Sequence, residues 1–151
     1  MMFSKISIQP QDFSIEAESE TLRAASKGVG AIVTFSGLVR ESEQGEGIRA
    51  LFLEHYSGMT EKSLQKILDE AATRWPLLAA TVVHRIGELS PGEQIVFVGV
   101  SSEHRAAAFH ACEFIMDYLK TRAPFWKKCL LVNGSHWIEA KDSDENASAR
   151  W

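Results

Sequence analysis

Phe114-Ile115-Met116-Asp117-Tyr118-Leu119-Lys120-Thr121-Arg122-Ala123-Pro124-Phe125-Trp126-Lys127-Lys128 is the stretch on which the fold turns. Upstream, Ala108, Phe109, Cys112, Ile115, Met116 and Leu119 recur at helical spacing and form one apolar stripe, which predicts a helix from about His104 to Arg122. Lys120 continues the row Cys112, Met116 four residues on, at the edge of the buried face. Pro124 ends the helix, because the residue before a proline is pushed out of the α region. The chain then enters a basic, aromatic elbow that turns Lys127 and Lys128 back towards Lys120. Past the elbow, Lys128–Val132 and Ser135–Ala140 flank Asn133-Gly134, the signature of a tight hairpin.

The elbow also carries the chain's basic charge. Lys120, Arg122, Lys127 and Lys128 lie within it, and no Asp or Glu occurs from Tyr118 through Ile138, although the protein has 20 acids against 16 Lys and Arg and a net charge of -4. A concentrated positive field in an acidic protein suits a negatively charged ligand. Cations near a helix C-terminus are favourable in any case, by about 0.3–1 kcal/mol each, so charge alone also admits a plain solvated helix end. Lys120 is a candidate general base, acid or nucleophile, since burial and neighbouring cations are what fit a lysine for proton transfer. The alternative is a lysine whose stem merely covers apolar surface.

Outward from the elbow, 151 residues with 45% hydrophobic content describe one domain, residues 1–140, with a polar tail at 141–151 that should fray, Trp151 being its one anomaly. Phe3–Gln9 alternates as a strand; Ile15–Lys27 reads as a helix; Ala31–Arg40 is β-rich and should be a central strand, in which Gly37 marks a bulge or close approach. Glu41–Gly47 reads as a mobile acidic loop and Ile48–Tyr56 as a strand. Thr60 is positioned to cap a helix that Pro76 ends. Leu78–Ile86 and Gln94–Ser101 are further strands around a Ser90-Pro91-Gly92-Glu93 turn. The mixture without strict alternation predicts an α+β fold, a mixed or antiparallel sheet with about three helices. Two cysteines offer neither a disulfide framework nor metal-ligand spacing. The acidic balance argues against nucleic acid, and no apolar run approaches the roughly 20 residues needed to span a bilayer. With no apolar signal core at the N-terminus, a cytoplasmic location is the expectation.

A second candidate group opens the long helix: Ser101-Ser102-Glu103-His104-Arg105. Free N–H groups at a helix start bind anions. Arg105 lies near the middle of the apolar stripe, where an unpaired guanidinium is costly, so it should meet a carboxylate or a ligand's phosphate. His104 and Lys120 are 16 residues apart, roughly 24 Å along one helix, too far for one small ligand. A symmetric dimer in which one helix start faces the other's helix end would resolve this.

Thr34-Phe35-Ser36-Gly37-Leu38-Val39-Arg40, Leu53-Glu54-His55-Tyr56 with Gly58-Met59, His84-Arg85-Ile86-Gly87, Gly99-Val100-Ser101-Ser102-Glu103-His104-Arg105 and Tyr118 to Lys128 together resemble the large, catalytic subunits of molybdopterin synthase, through nearly the whole chain. The resemblance implies a hammerhead-like single domain and a sulfurtransferase of molybdenum cofactor biosynthesis with no cofactor of its own. Sulfur would arrive as a thiocarboxylate on the C-terminal glycine of a small ubiquitin-like subunit and pass to cyclic pyranopterin monophosphate, giving the dithiolene of molybdopterin. Two large subunits would form a central homodimer, with a small subunit at each end of a heterotetramer. Carried over by position, Lys120 and Lys127 are catalytic; Arg40, His104 and Arg105 hold the substrate; Leu38, Val39 and Lys128 line the pocket.

The chain departs from the family pattern at one position. That pattern has a glutamate directly after the paired basic residues, where this chain has Cys129. Cys129 beside Lys128 also admits a persulfide-carrying sulfurtransferase, since nearby cations favour a thiolate. A non-catalytic module that binds a ubiquitin-like partner or a pterin is the other alternative. Phe125 and Trp126 could stack on a pterin ring or simply belong to the core.

Overall fold

Alternating and fully apolar runs give nine strands, and longer mixed runs give four helices, among the residues that the computed structural model describes, 2–43, 45–132, 134–138 and 142–151. In chain order these are β1 (Phe3–Gln9), α1 (Ile15–Ala24), β2 (Ala31–Leu38), β3 (Ser42–Glu43), β4 (Glu46–His55), α2 (Met59–Arg74), β5 (Ala79–Arg85), β6 (Gly87–Leu89), β7 (Gln94–Ser102), α3 (Arg105–Arg122), β8 (Phe125–Leu131), β9 (Gly134–Ile138) and α4 (Asp142–Ala149). The expected α+β class is borne out. A four-stranded sheet runs β1-β5-β7-β2, with β1 parallel to β5 and the other pairs antiparallel, so β2, expected at the centre from its apolar run, is an edge strand, and β5 and β7 take the centre. A second, antiparallel sheet runs β3-β4-β8-β9, and β6 adds to the other edge of β4.

The middle of the first sheet is apolar on both faces. Every residue of β5 is buried, as is nearly all of β7, the pattern of strands covered on both sides. One face packs Ala80, Val82, Val96, Val98 and Val100 under α2 and α3; the other packs Ala79, Val83 and Phe97 under Leu22 of α1. Ser14 starts α1 by accepting a hydrogen bond from the Ala17 N–H at 3.1 Å. At Gly37 a Cβ would come within 2.8 Å of Val96, and the β2–β7 register shifts between Gly37 and Leu38, so close approach and bulge coincide there.

Several expectations are corrected. Glu41–Gly47 is not an open loop: Ser42–Glu43 pairs back on the start of β4, with Gln44 outside the described residues. Thr60 does not cap α2. The first turn is closed by Glu61, whose carboxylate accepts the Gly58 N–H at 2.9 Å, and Thr60 is used elsewhere. The polar tail forms α4 and does not simply fray. Trp151 packs edge-on against Trp75 and Phe114, at 5.6 and 5.7 Å between ring centroids, and Arg150 pairs with Glu113 and Asp117 of α3. The domain boundary expected at 140/141 lies outside the described residues, as does Asn133 of the expected hairpin turn, whose strands β8 and β9 do pair.

The long helix is rotated from its expected face. Its buried residues are Ala107, Ala108, Ala111, Cys112, Phe114, Ile115, Tyr118 and Leu119, while Phe109 is 60% exposed. The sequence shows which residues are apolar; it does not show that α2, Trp75 and α4 cover the Phe114–Tyr118 flank and leave Phe109 outside.

Candidate active site

The elbow is the beginning of β8. Ala123 leaves the helix with extended backbone (φ -85°, ψ 128°), Pro124 turns the chain, and Phe125 is already paired with His55 of β4. A buried threonine fixes the turn. The Thr60 hydroxyl donates to the Pro124 carbonyl at 2.9 Å and accepts the Tyr56 N–H at 3.0 Å, which ties the elbow to the start of α2. Tyr56 in turn meets the edge of Trp126, 4.6 Å between centroids.

Period two along β8 then sorts the elbow's side chains. Phe125, Lys127 and Cys129 share one face and Trp126 and Lys128 the other. Phe125 stacks nearly flat on His84 from the end of β5, with centroids 3.9 Å apart and planes 17° from parallel. His84 is 2% exposed and its Nδ1 lies 2.9 Å from the Arg85 carbonyl. A carbonyl only accepts, so Nδ1 carries the proton and the neutral ring keeps its lone pair on Nε2. Burial pushes the imidazole down to about 3; its bond to the Arg85 carbonyl works in the other direction, and the charges of Lys127, Lys120 and His55 reinforce burial. A fixed neutral ring therefore sits within the field of both candidate catalytic lysines.

Topology places the remaining candidates at two ends of the first sheet. β2 finishes at Leu38 beside Gln94, the start of β7, so Arg40 emerges at that end. α3 leaves from the far end, where Ser102 pairs with Ala31, and packs back over β7 and β2. It covers 15 residues, about 22 Å, between Arg105 and Lys120, and β2 spans about 26 Å, so Lys120 returns to the Arg40 end. Lys120, Lys127, His84, Leu38 and Arg40 thus share one end; His104 and Arg105 occupy the other.

Four sequence-level expectations change. Arg105 is exposed and not in the core; it sits on the flank of α3 and needs no buried partner. Val39 is buried in the main core, with its backbone bonded to Gly92 and Glu93, whereas Leu38 beside it is 53% exposed. Lys128 lies on the strand face opposite Lys127, so the two cannot both turn towards Lys120 within one chain. Cys129 is wholly buried against the core, which closes off a persulfide role for its sulfur. Arg122 is drawn aside over the Tyr118 ring at 3.7 Å.

Three contributors do not stand out from the residues alone: His84, Phe125 as its stacking partner and Thr60. A histidine inside Ala79-Ala80-Thr81-Val82-Val83-His84-Arg85, otherwise a buried-strand sequence, is the available signal for the first. Among the described residues there is no cluster of His, Cys, Asp or Glu able to hold a metal, and no helix long and apolar enough to cross a membrane.

Fold and site together define an α+β protein in which Lys120, Lys127 and Arg40 gather at one end of a mixed sheet. Residues 8–122 match the MoaE protein family, and the chain belongs to that family. It is 57% identical over 150 residues to the molybdopterin synthase catalytic subunit of Vibrio cholerae, covering 99% of both chains. With that of Escherichia coli it shares 55% identity over 151 residues and the full length of both. The solved MoaE protein from Burkholderia ambifaria superposes with a TM-score of 0.85 at 48% identity, over 99% of this chain and 98% of that one.

Proposed function

We propose that the chain is the catalytic subunit of a molybdopterin synthase, transferring sulfur from the C-terminal thiocarboxylate of a small ubiquitin-like subunit to cyclic pyranopterin monophosphate and so forming the molybdopterin dithiolene. Full-length similarity to relatives bearing that name supports the activity. The observation that supports the mechanism is a buried, neutral His84, stacked on Phe125 of the elbow, whose protonation the charges of both Lys127 and Lys120 oppose.

A thiocarboxylate and a cyclic phosphate are both anions and repel each other until cations stand between them. Lys120 serves proton transfer or transient contact with the tail carbonyl, and Lys127 stabilises negative charge as the phosphate ring opens. On each transfer the thiocarboxylate sulfur forms a C–S bond to the pterin side chain as a C–O bond there breaks, and water then cleaves the resulting thioester, leaving the tail as a carboxylate and the sulfur on the pterin. Arg40, with His104 and Arg105 of a second copy, clamps the phosphate, for which the arginine fork is suited. Leu38 borders that pocket; Lys128, on the opposite strand face, and Val39, in the core, contribute through the elbow and the sheet end they belong to. The assembly is a homodimer of this chain with a small subunit at each end, and its place is the cytoplasm, which buried thiols at Cys112 and Cys129 suit.

The test mixes the purified chain with a thiocarboxylated small subunit and cyclic pyranopterin monophosphate and follows the pterin by mass. Gain of two sulfurs is expected. Stable binding of both reactants with no sulfur gained would instead favour the non-catalytic module.

A further inference from the structure

On the sheet face that α2 and α3 cover, β5 contributes Ala80, Val82 and His84. The first two are apolar, as packing requires. At the third stands an imidazole, 2% exposed, where a valine or phenylalanine would fill the volume with no proton to exclude and no nitrogen to satisfy. The ring is fixed in two ways. Its Nδ1–H donates to the Arg85 carbonyl at 2.9 Å, and Arg85 is itself clamped, donating to the carbonyls of Pro10 at 3.0 and 3.2 Å and of Gln94 at 3.1 Å. Its flat side lies on Phe125, 3.9 Å between centroids. Stacked rings slide over one another at little cost; a ring also hydrogen-bonded through its edge keeps its place.

That stack joins the two sheets at the elbow, since His84 stands near the end of β5 and Phe125 opens β8. The elbow is pinned residue by residue as it enters the strand. The Pro124 carbonyl accepts from Thr60, Phe125 lies on His84, and Trp126 meets the edge of Tyr56. Lys127 follows directly. It shares the strand face of Phe125, so the seating of Phe125 sets the direction in which the lysine side chain starts. His55 of β4 pairs with Phe125 across the strands, and its Nε2 lies 3.9 Å from the Glu61 carboxylate of α2. The charges of Lys127 from β8, Lys120 from α3 and His55 from β4 all oppose a proton on His84, so the ring adds no further cation beside the two lysines.

We infer that His84 is a positioning residue of the sulfur-transfer reaction: its tethered ring seats Phe125 and thereby fixes the direction in which Lys127 leaves β8. This inference rests on the reading of Lys127 as catalytic given above. His84 touches no reactant and moves no proton; it acts through Phe125 on the lysine two residues further on. A displacement of about 1 Å in a reacting group costs up to about 100-fold in rate, which gives a reason for a hydrogen-bonded ring at a position that packing alone would fill with valine.

Two readouts test it on the full chain, one of turnover and one of Lys127 itself. His84→Phe keeps an aromatic ring and removes the tether; Phe125→Leu leaves the tether and removes the stack. Single-turnover sulfur transfer from a thiocarboxylated small subunit to cyclic pyranopterin monophosphate is measured per folded molecule for each variant, alone and combined with Lys127→Ala. A loss of about tenfold is expected for each alone, and less than about twofold further loss on top of Lys127→Ala, because a residue that acts through Lys127 then has nothing to position. Equal losses in both backgrounds, or wild-type turnover in His84→Phe, overturn the inference. The second readout is the rate at which trinitrobenzenesulfonate modifies half-buried Lys127, followed by peptide mass, with exposed Lys66 of α2 as internal control. Loosening the seat should raise the Lys127 rate several-fold and leave Lys66 unchanged; an unchanged Lys127 rate in both variants overturns the inference. If Lys127→Ala itself keeps the wild-type rate, the proposed function fails at that lysine, and the labelling still decides whether His84 sets its position.

Discussion

Acidification should weaken this protein through His84 before its carboxylates begin to titrate. The imidazole ordinarily titrates near 6.5 and is held neutral down to about 3 in the fold, chiefly by burial. Between those values the unfolded chain binds a proton that the folded chain refuses, so stability is complete above the ordinary value and falls with pH through the window, by about 1.4 kcal/mol per pH unit. One unit into the window, at pH 5.5, the loss relative to pH 7.5 is about 1.4 kcal/mol, and carboxylates contribute little because their range lies near 4. Urea unfolding at the two pH values measures it directly. His84→Phe keeps a ring against Phe125 and removes the titrating group; it should flatten the pH dependence while costing about 1–3 kcal/mol at pH 7.5 for the orphaned Arg85 carbonyl. Equal losses in wild type and His84→Phe between pH 7.5 and 5.5 would refute the reasoning.

Two further substitutions probe the elbow and its neighbour. Thr60→Val preserves shape but removes both the acceptor for Tyr56 and the donor to Pro124 at a site with no solvent, and should lower unfolding free energy by about 1–3 kcal/mol in urea titrations, with sulfur transfer falling as the elbow loosens. Cys129→Ser places a hydroxyl where the thiol is fully buried, so it should cost about 1–3 kcal/mol in the same titration yet leave sulfur transfer per folded molecule unchanged.

Much of this architecture is written locally. Phe3–Gln9 reads correctly because alternation and Pro10 need no tertiary context, and Pro124 ends α3 by steric exclusion alone. Phe109 reads as part of the buried stripe because hydropathy cannot tell which flank of a helix its neighbours occupy; Ala111 and Tyr118 face the core since Trp75 and Trp151 lie beyond them. The acidic Glu41–Gly47 segment resembles a loop in composition, yet pairing with β4 makes it a short hairpin. Lys127 is legible from its charge, while the ring that stacks on the neighbouring Phe125 is not, because His84 is distant in sequence and enters only when β5 and β8 are brought together by the fold. Separation of Lys127 from Lys128 requires knowing that the elbow is already a strand.

The central claim is that fixed positive groups at this sheet end allow two negative reactants to combine. Single-turnover sulfur transfer from a thiocarboxylated small subunit to cyclic pyranopterin monophosphate, measured for Lys120→Ala and Lys127→Ala against wild type, tests it most directly. Loss of about 100-fold or more in each variant, with the dimer and small-subunit binding retained, is the predicted result; wild-type rates in both would contradict the account.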